Sequence, residues 1–412
     1  MPPAPLRVVS EIGPLRAVLV HTPGRELLAV TPGTLEDYLY DDIIDLEAAR
    51  HEHAIMLSLL RPYTDVYEVR DLLRDVVSDP EARRVLIDGT MDIVQSAELA
   101  ARLAQVPAEE LVTLLIEGEA EPPGPIAQAL NEGGSSLPPL PNLFFTRDVG
   151  IVVADDVLVG AMRYEARWSE ELLMKVLFTH HPALAHRRIL YDGSAERRLD
   201  HSLEGGDVHP VRDDLLIVGF SDRSSAVALD RLCDLVFSQS TITDVIVVIM
   251  PGQPTAIHLD MLFTQVDHGV CVVSPPHFIG PERLAVLHRR KGAPGISELP
   301  DFFTALKRVN FPLEPILCGG AVRATQEREQ WASGCNLLTV RPGIALAYQR
   351  NEGTLVEFEK AGFEVMSAEA FLESDVPDME SRKRILTFRG SELVRGGGGP
   401  RCMTLPLRRD SF

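Results

Sequence analysis

The sequence predicts an α/β protein made of repeated strand–turn–strand units with helices between them. The first observation is a recurring pattern beyond residue 140. "FFTRDVGIVVADDVLVGAM", "GGDVHPVRDDLLIVGFSDRSS", "FTQVDHGVCVVSPP" and "NLLTVRPGIALAYQRN" each read as strand, polar turn, strand. The second is that three of these units run into helical patterns: "WSEELLMKVLF", "AVALDRLCDLVF" and "GTLVEFEKAGF". The third is a block at 71–130 with several helical patterns and almost no strand signal. A spacing of about 55 to 75 residues suits repeated supersecondary units. The units could stand around an axis or lie in one mixed sheet, and pattern alone supports both equally.

Taken in order, "AVLVHTPG" is an apolar run closed by a turn signal, hence a buried strand. "DLEAARHEHAIMLSLL" is an amphipathic helix. "DLLRDVV", "PEARRVLIDGTM", "SAELAARLAQV" and "AEELVTLLIE" make 71–130 a separate small helical module, ending at the turn-rich "NEGGSSLPPLPN". Residues 1–70 and 131–412 form the α/β body around it. The late strand in "CMTLPL" could pair with the first strand and complete one more unit.

The totals exclude several classes of function. Forty Lys and Arg against sixty Asp and Glu give a formal charge of −20 over 412 residues. Such a surface repels nucleic acid and anionic membranes and mildly favours cationic small molecules. No apolar run approaches the roughly eighteen residues needed to cross a bilayer. The opening "MPPAPLRVVSEIG" lacks the charged-then-apolar form of a secretory leader. The cysteines (Cys233, Cys271, Cys318, Cys335 and Cys402) are odd in number and scattered, which fits neither a disulfide framework nor a CxxC zinc site. The expected location is the cytoplasm. The first four cysteines sit in apolar or Gly-rich surroundings and read as core residues.

Cys402 stands apart because it ends "RGGGGPRC". A phosphate loop would need Lys and then Ser or Thr after the glycines, and Pro400 and Arg401 follow instead. A dinucleotide loop should open a helix, whereas this one leads into a strand-like run. Glycine also permits positive φ and close backbone approach, so the loop could deliver a cysteine to a pocket and still move. Taken alone, Cys402 is as readily a core residue as a nucleophile. Arg401, if it faces the sulfur, would lower the thiol pKa.

A thiol nucleophile needs a base. In "TAIHLDMLFTQVD", His258 and Asp260 share a face if the run is a strand, and two polar groups there must be paired. In "SLEGGDVHP", Glu204 and Asp207 flank two glycines, and in "PPLPNLFFTRDVG", Arg147 and Asp148 end an aromatic stretch. Each feature has a plain structural explanation: a satisfied buried pair, a turn with solvated carboxylates, a surface ion pair. Together they offer a thiol, an imidazole and several carboxylates. A divalent-metal site is one arrangement of that set. A cysteine in a carboxylate-rich cleft suits a cationic substrate better, because carboxylates match a guanidinium in two-pronged hydrogen bonds.

The chain resembles the arginine deiminases of the guanidine-modifying superfamily. "SEIGPLRAVLVHTPG", "PPLPNLFFTRD", "SLEGGDV", "FSDRSS", "IHLDMLFTQVD", "QWASGCNLLTVRPGIALAYQRN" and "RGGGGPRCMTLPL" occur in the family's order and span nearly the whole chain. The resemblance implies a five-bladed α/β propeller whose helical module at 71–130 is an insertion. It implies hydrolysis of L-arginine to citrulline and ammonia without metal or other cofactor. Cys402 would be the nucleophile, His258 the general acid and base, and Glu204 its orienter. Asp148 and Asp260 would grip the guanidinium. Asn142, Phe145, Arg167, Arg223 and Arg395 match positions that hold the amino-acid end. Arg163 competes with Arg167, and Arg401 with Arg395. "WSEE" after Arg167 and Met261 after Asp260 depart from the family pattern. A homo-oligomer, dimer or tetramer, is expected. The alternatives are another guanidino substrate such as agmatine or a methylarginine, a metallohydrolase using His258, Asp260 and Glu204, and an inactive arginine-binding protein.

Overall fold

The computed structural model of the chain describes residues 6–130, 133–184, 188–195, 201–374 and 382–411. Residues 1–5 and 131–132, in the opening and the turn-rich boundary read above, lie outside the described residues. The architecture is mixed α/β. Among the described residues, five separate sheets of three or more strands form, together with a two-stranded ribbon, so a single mixed sheet is excluded.

All four expected hairpins are present. Gly150–Val153 pairs with Asp156–Val159, Val208–Arg212 with Leu215–Phe220, Phe263–Asp267 with Val270–Val273, and Leu338–Arg341 with Ile344–Tyr348, each antiparallel. The second strand of each then takes a parallel partner after one or more helices: Ile189–Asp192, Asp244–Ile249, Glu314–Leu317 and Arg384–Phe388. On the way to Glu314–Leu317 the chain adds Val286–Arg290 and Ile296–Leu299 to the sheet of Asp244–Ile249, and before Arg384–Phe388 it adds Glu364–Ser367 to that strand's own sheet. The fifth unit joins distant segments. Leu405–Arg409 lies antiparallel to Leu15–Val20, which is parallel to Asp65–Glu68. The repeat is therefore ββαβ. Its third strand was not evident in the sequence, because runs such as "ILYD" and "EPIL" are short and carry little alternation.

Local chemistry accounts for the helices. Asp45 caps Leu46–Leu60 by accepting from the Ala48 amide at 2.8 Å, and Ser225 caps Ala226–Gln239. Ala228, Leu229, Leu232 and Val236 of the latter pack with Ile151, Val153, Leu216 and Val218 of two neighbouring sheets. Each of the Leu, Ile and Val side chains, fully buried, contributes about 1.5–3 kcal/mol. Helices Val69–Val76, Pro80–Val94, Ala97–Leu103 and Ala108–Glu117 join a core that includes Leu172, Leu173 and Leu177 of Trp168–His180. No helix among the described residues is long and apolar enough to cross a membrane.

One local reading is corrected. His258 and Asp260 do not alternate on a strand. His258 precedes a 3-10 turn, Leu259–Met261, and the strand begins only at Phe263. The Leu259 amide donates to Asp207 at 2.9 Å, a contact from another unit that bends the chain there.

Candidate active site

The glycine loop ends at a turn. Leu393–Gly396 is a 3-10 helix, Gly397 adopts φ +85°, and Cys402 lies just ahead of strand Leu405–Arg409. Gly397 sits in the left-handed region that disfavours a side chain. Cys402 is buried, yet it lines a small cavity of about 30 Å³ shared with His258, Asp148, Asn142, Arg167 and Arg223. Phe145 and Gly396 to Gly398 line it as well. Outside lies a cleft of about 910 Å³ whose rim includes Glu36, Asp41, Asp42 and Asp222.

His258 is held on both sides. Its Nε2 is 2.9 Å from Glu204 Oε2 and its Nδ1 is 3.7 Å from Asp148 Oδ1. A Cβ on Gly206 would stand 2.5 Å from His258 Nδ1, so the second glycine of "EGGD" is there to let the imidazole approach the backbone. Burial alone would lower the His258 pKa, but the Asp148 charge and the Glu204 hydrogen bond raise it to about 9, leaving an imidazolium at neutral pH. Glu204 also accepts from the Arg163 amide at 3.0 Å and from Arg223 Nη1 at 3.3 Å. Burial pushes its carboxyl up, and Arg223 and His258 overcome this and bring it down to about 2.

Cys402 Sγ lies 3.5 Å from Asp260 Oδ2. Burial, with Asp260 and Asp148 adding to it, holds the thiol well above its ordinary pKa, so it is neutral at rest. The pull of Arg401 is outweighed. Its guanidinium is wholly buried and committed elsewhere, 2.9 Å from Asp260 and 3.0 Å from Glu11. Asp260 therefore pairs with Arg401 rather than with His258, and it stands behind the sulfur instead of lining the cavity.

Asp148 Oδ2 meets Arg167 Nη1 at 2.7 Å, and Arg167 is further tied to Glu170 at 2.8 Å. Arg167, not Arg163, lines the cavity. Arg223 lies over the Tyr164 ring at 4.8 Å. Asn142 donates to the Tyr38 carbonyl at 2.8 Å. Three buried polar atoms here have no hydrogen-bond partner: Asp148 Oδ1, Asp260 Oδ1 and Arg223 Nε. Arg395 is not brought into the cavity. It lines the outer cleft and pairs with Asp42. Sequence reasoning missed Asn336, whose Nδ2 is 3.0 Å from Cys402 Sγ. The signal was an amide set among apolar residues in "GCNLL".

A metal is a poor fit. Ligand atoms of Asp148, Glu204 and His258 lie within 4.8 Å of one another. The two carboxylates already face Arg167, Arg223 and the imidazolium, so a divalent cation would enter a site crowded with positive charge.

Fold and cavity thus define an α/β protein whose pocket gathers a thiol, an imidazole, a carboxylate and two guanidinium groups. The fold recurs in solved structures. The N-terminal domain of an ArgZ variant, covalently bound to a reaction intermediate, matches with a TM-score of 0.53 at 14% identity over 95% of this chain and 98% of that one. SxtG, an amidinotransferase from Microseira wollei, matches with a TM-score of 0.54 at 12% identity over 99% and 98%. Residues 36–409 match the arginine deiminase family model, and the chain belongs to that family. Arginine deiminases of Rhodococcus opacus (32% identical over 99% of this chain and 98% of that protein) and Treponema denticola (30% over 99% and 100%) are among its relatives.

Proposed function

We propose that this protein hydrolyses L-arginine to L-citrulline and ammonia through a thiouronium adduct on Cys402. The observation that carries the reading is the shared cavity of Cys402 and His258, with Glu204 directly behind the imidazole. The unpartnered Asp148 Oδ1 on the cavity wall suits a guanidinium N–H and Arg223 Nε suits a carboxylate, while Asp260, held by Arg401 outside the lining, contributes its charge and not a direct grip. Asn142, Phe145 and Arg167 complete the wall at the amino-acid end. Family membership supports the same reaction.

The chemistry follows from the charges. The arriving cation offsets Asp148 and Asp260, the neighbours that hold the thiol neutral, and the sulfur gives up its proton to solvent water, since His258 is already protonated. Thiolate attacks the guanidinium carbon to give a tetrahedral adduct. His258 donates its proton to one nitrogen, which leaves as ammonia, and a thiouronium cation remains. Neutral His258 then takes a proton from water as the oxygen adds to the same carbon. Collapse expels the thiolate, and loss of the hydroxyl proton leaves citrulline.

The five ββαβ units, and the pairing of Leu405–Arg409 with Leu15–Val20 in one of them, support a five-bladed α/β propeller. The helices between Val69 and Leu130 support an insertion at 71–130. The net charge of −20 favours approach of a cation. Exposed Ile126 and Leu130 on one short helix support a homo-oligomer, and five free thiols suit a reducing compartment such as the cytoplasm.

The test is to supply the purified protein with arginine and with agmatine and to measure citrulline and ammonia. Arginine is turned over and agmatine, which lacks the carboxylate, is turned over far less. Cys402→Ala abolishes the activity. Equal use of agmatine would refute the role given to Arg223.

A further inference from the structure

Asn336 is wholly buried at the turn before strand Leu338–Arg341. Its amide spends its full hydrogen-bonding capacity on the two loops that meet at the sulfur. Oδ1 accepts from the backbone amides of Arg401 and Cys402, both at 3.1 Å. Nδ2 lies 3.0 Å from Cys402 Sγ and 3.2 Å from the Asp260 carbonyl. The glycine loop is shaped to it: a Cβ on Gly399 would stand 2.7 Å from Asn336 Oδ1.

We propose that Asn336 is a positioning residue that fixes the Cys402 turn and directs an N–H at the sulfur, stabilising it as thiolate. The inference rests on Cys402 being the nucleophile. An N–H bonded to sulfur gains strength as the sulfur becomes charged, so it acts most when the thiolate forms. A neutral amide suits the place better than a cation, which would compete with a guanidinium for Asp148 and Asp260. Both jobs meet in one side chain. The oxygen sets where the sulfur stands, and the nitrogen sets how readily it ionises.

The experiment reads ionisation separately from turnover. Alkylation of Cys402 by iodoacetamide is followed by mass spectrometry across pH without substrate, with Cys402→Ala as the blank, and kcat and KM for arginine are measured alongside. Asn336→Ala should raise the alkylation midpoint by about one pH unit and lower kcat by about tenfold or more, the expected size for a lost hydrogen bond to a charged group, while KM changes little. Asn336→Asp keeps the acceptors for both backbone amides but places a carboxylate near the sulfur, so its midpoint should rise further. A purely structural anchor would leave the Asn336→Ala midpoint at its wild-type value. That result would overturn the proposal. Should Asn336→Ala fail to fold, Asn336→Ser carries the same reading. A wild-type protein that alkylates normally yet forms no citrulline would refute the arginine reading and leave the midpoint comparison as the test of Asn336.

Discussion

Glu204 Oε2 and His258 Nε2 stand 2.9 Å apart, both buried, with Arg223 Nη1 3.3 Å from the same oxygen. This contact helps keep the imidazole charged, and charge on the imidazole is what the departing nitrogen needs. Replacing Glu204 by Gln should move the alkaline limb of the kcat profile down by a unit or more from about 9 and lower kcat by roughly 10²–10⁴-fold. The sign also applies to stability. The His258 pKa is raised in the folded state, so its contribution is full below about 6.5, the ordinary histidine value, and is lost as pH rises toward 9. Thermal melts of wild type and variant across pH 6 to 10 should converge at the alkaline end.

Gly206→Ala places a methyl 2.5 Å from His258 Nδ1. The backbone there cannot retreat, because a Cβ on adjacent Gly205 would itself stand 2.1 Å from the Arg147 carbonyl. The imidazole must turn away from Glu204. Turnover should fall by about a hundredfold, as expected when a reacting group is displaced by an ångström. Steady-state assay with a circular-dichroism melt decides. A variant with normal kcat would show that the ring position is not critical.

Arg395 and Asp42 clasp two loops at the outer cleft. If Arg395 reaches the amino-acid end during turnover, Arg395→Ala should raise KM for arginine about tenfold or more, the scale of one charge-assisted hydrogen bond, while Asp42→Ala leaves it near wild type. If the pair is only a latch, the two variants should behave alike.

Glu11 is a buried carboxylate among arginines, 3.0 Å from Arg401 and 3.8 Å from Arg147. Burial raises its pKa, and the two guanidinium charges overcome this and lower it. Its contribution is therefore present through the neutral range and is lost only in strong acid. Glu11→Gln leaves Arg401 and Arg147 short of a counter-charge and should cost about 3–5 kcal/mol in denaturant unfolding. A loss under about 1 kcal/mol, the scale of an exposed pair, would contradict this account.

The four hairpins and the nucleophile loop were legible because alternation and glycine runs are local signals. The residues alone suggested Asp260 as the partner of His258, and only the resemblance pointed to Glu204, which is the one found. "HLDML" has the composition of a strand, and the turn is imposed by Asp207 from a different unit. Asp260 likewise meets Arg401, far along the chain. Arg401 illustrates the limit well. Beside Cys402 in sequence, it turns to Glu11 and Asp260, because a wholly buried guanidinium goes where carboxylates are. Asn336 does its work through contacts with residues 401 and 402, which no local pattern announces.

The pairing of Leu15–Val20 with Leu405–Arg409 sets an order on biosynthesis. The earlier strand must wait, one edge open, until almost everything between them has left the ribosome. Cys402 emerges only just before the strand that pairs with Leu15–Val20. A growing chain thus cannot bring Cys402 to the cavity ahead of the framework around it.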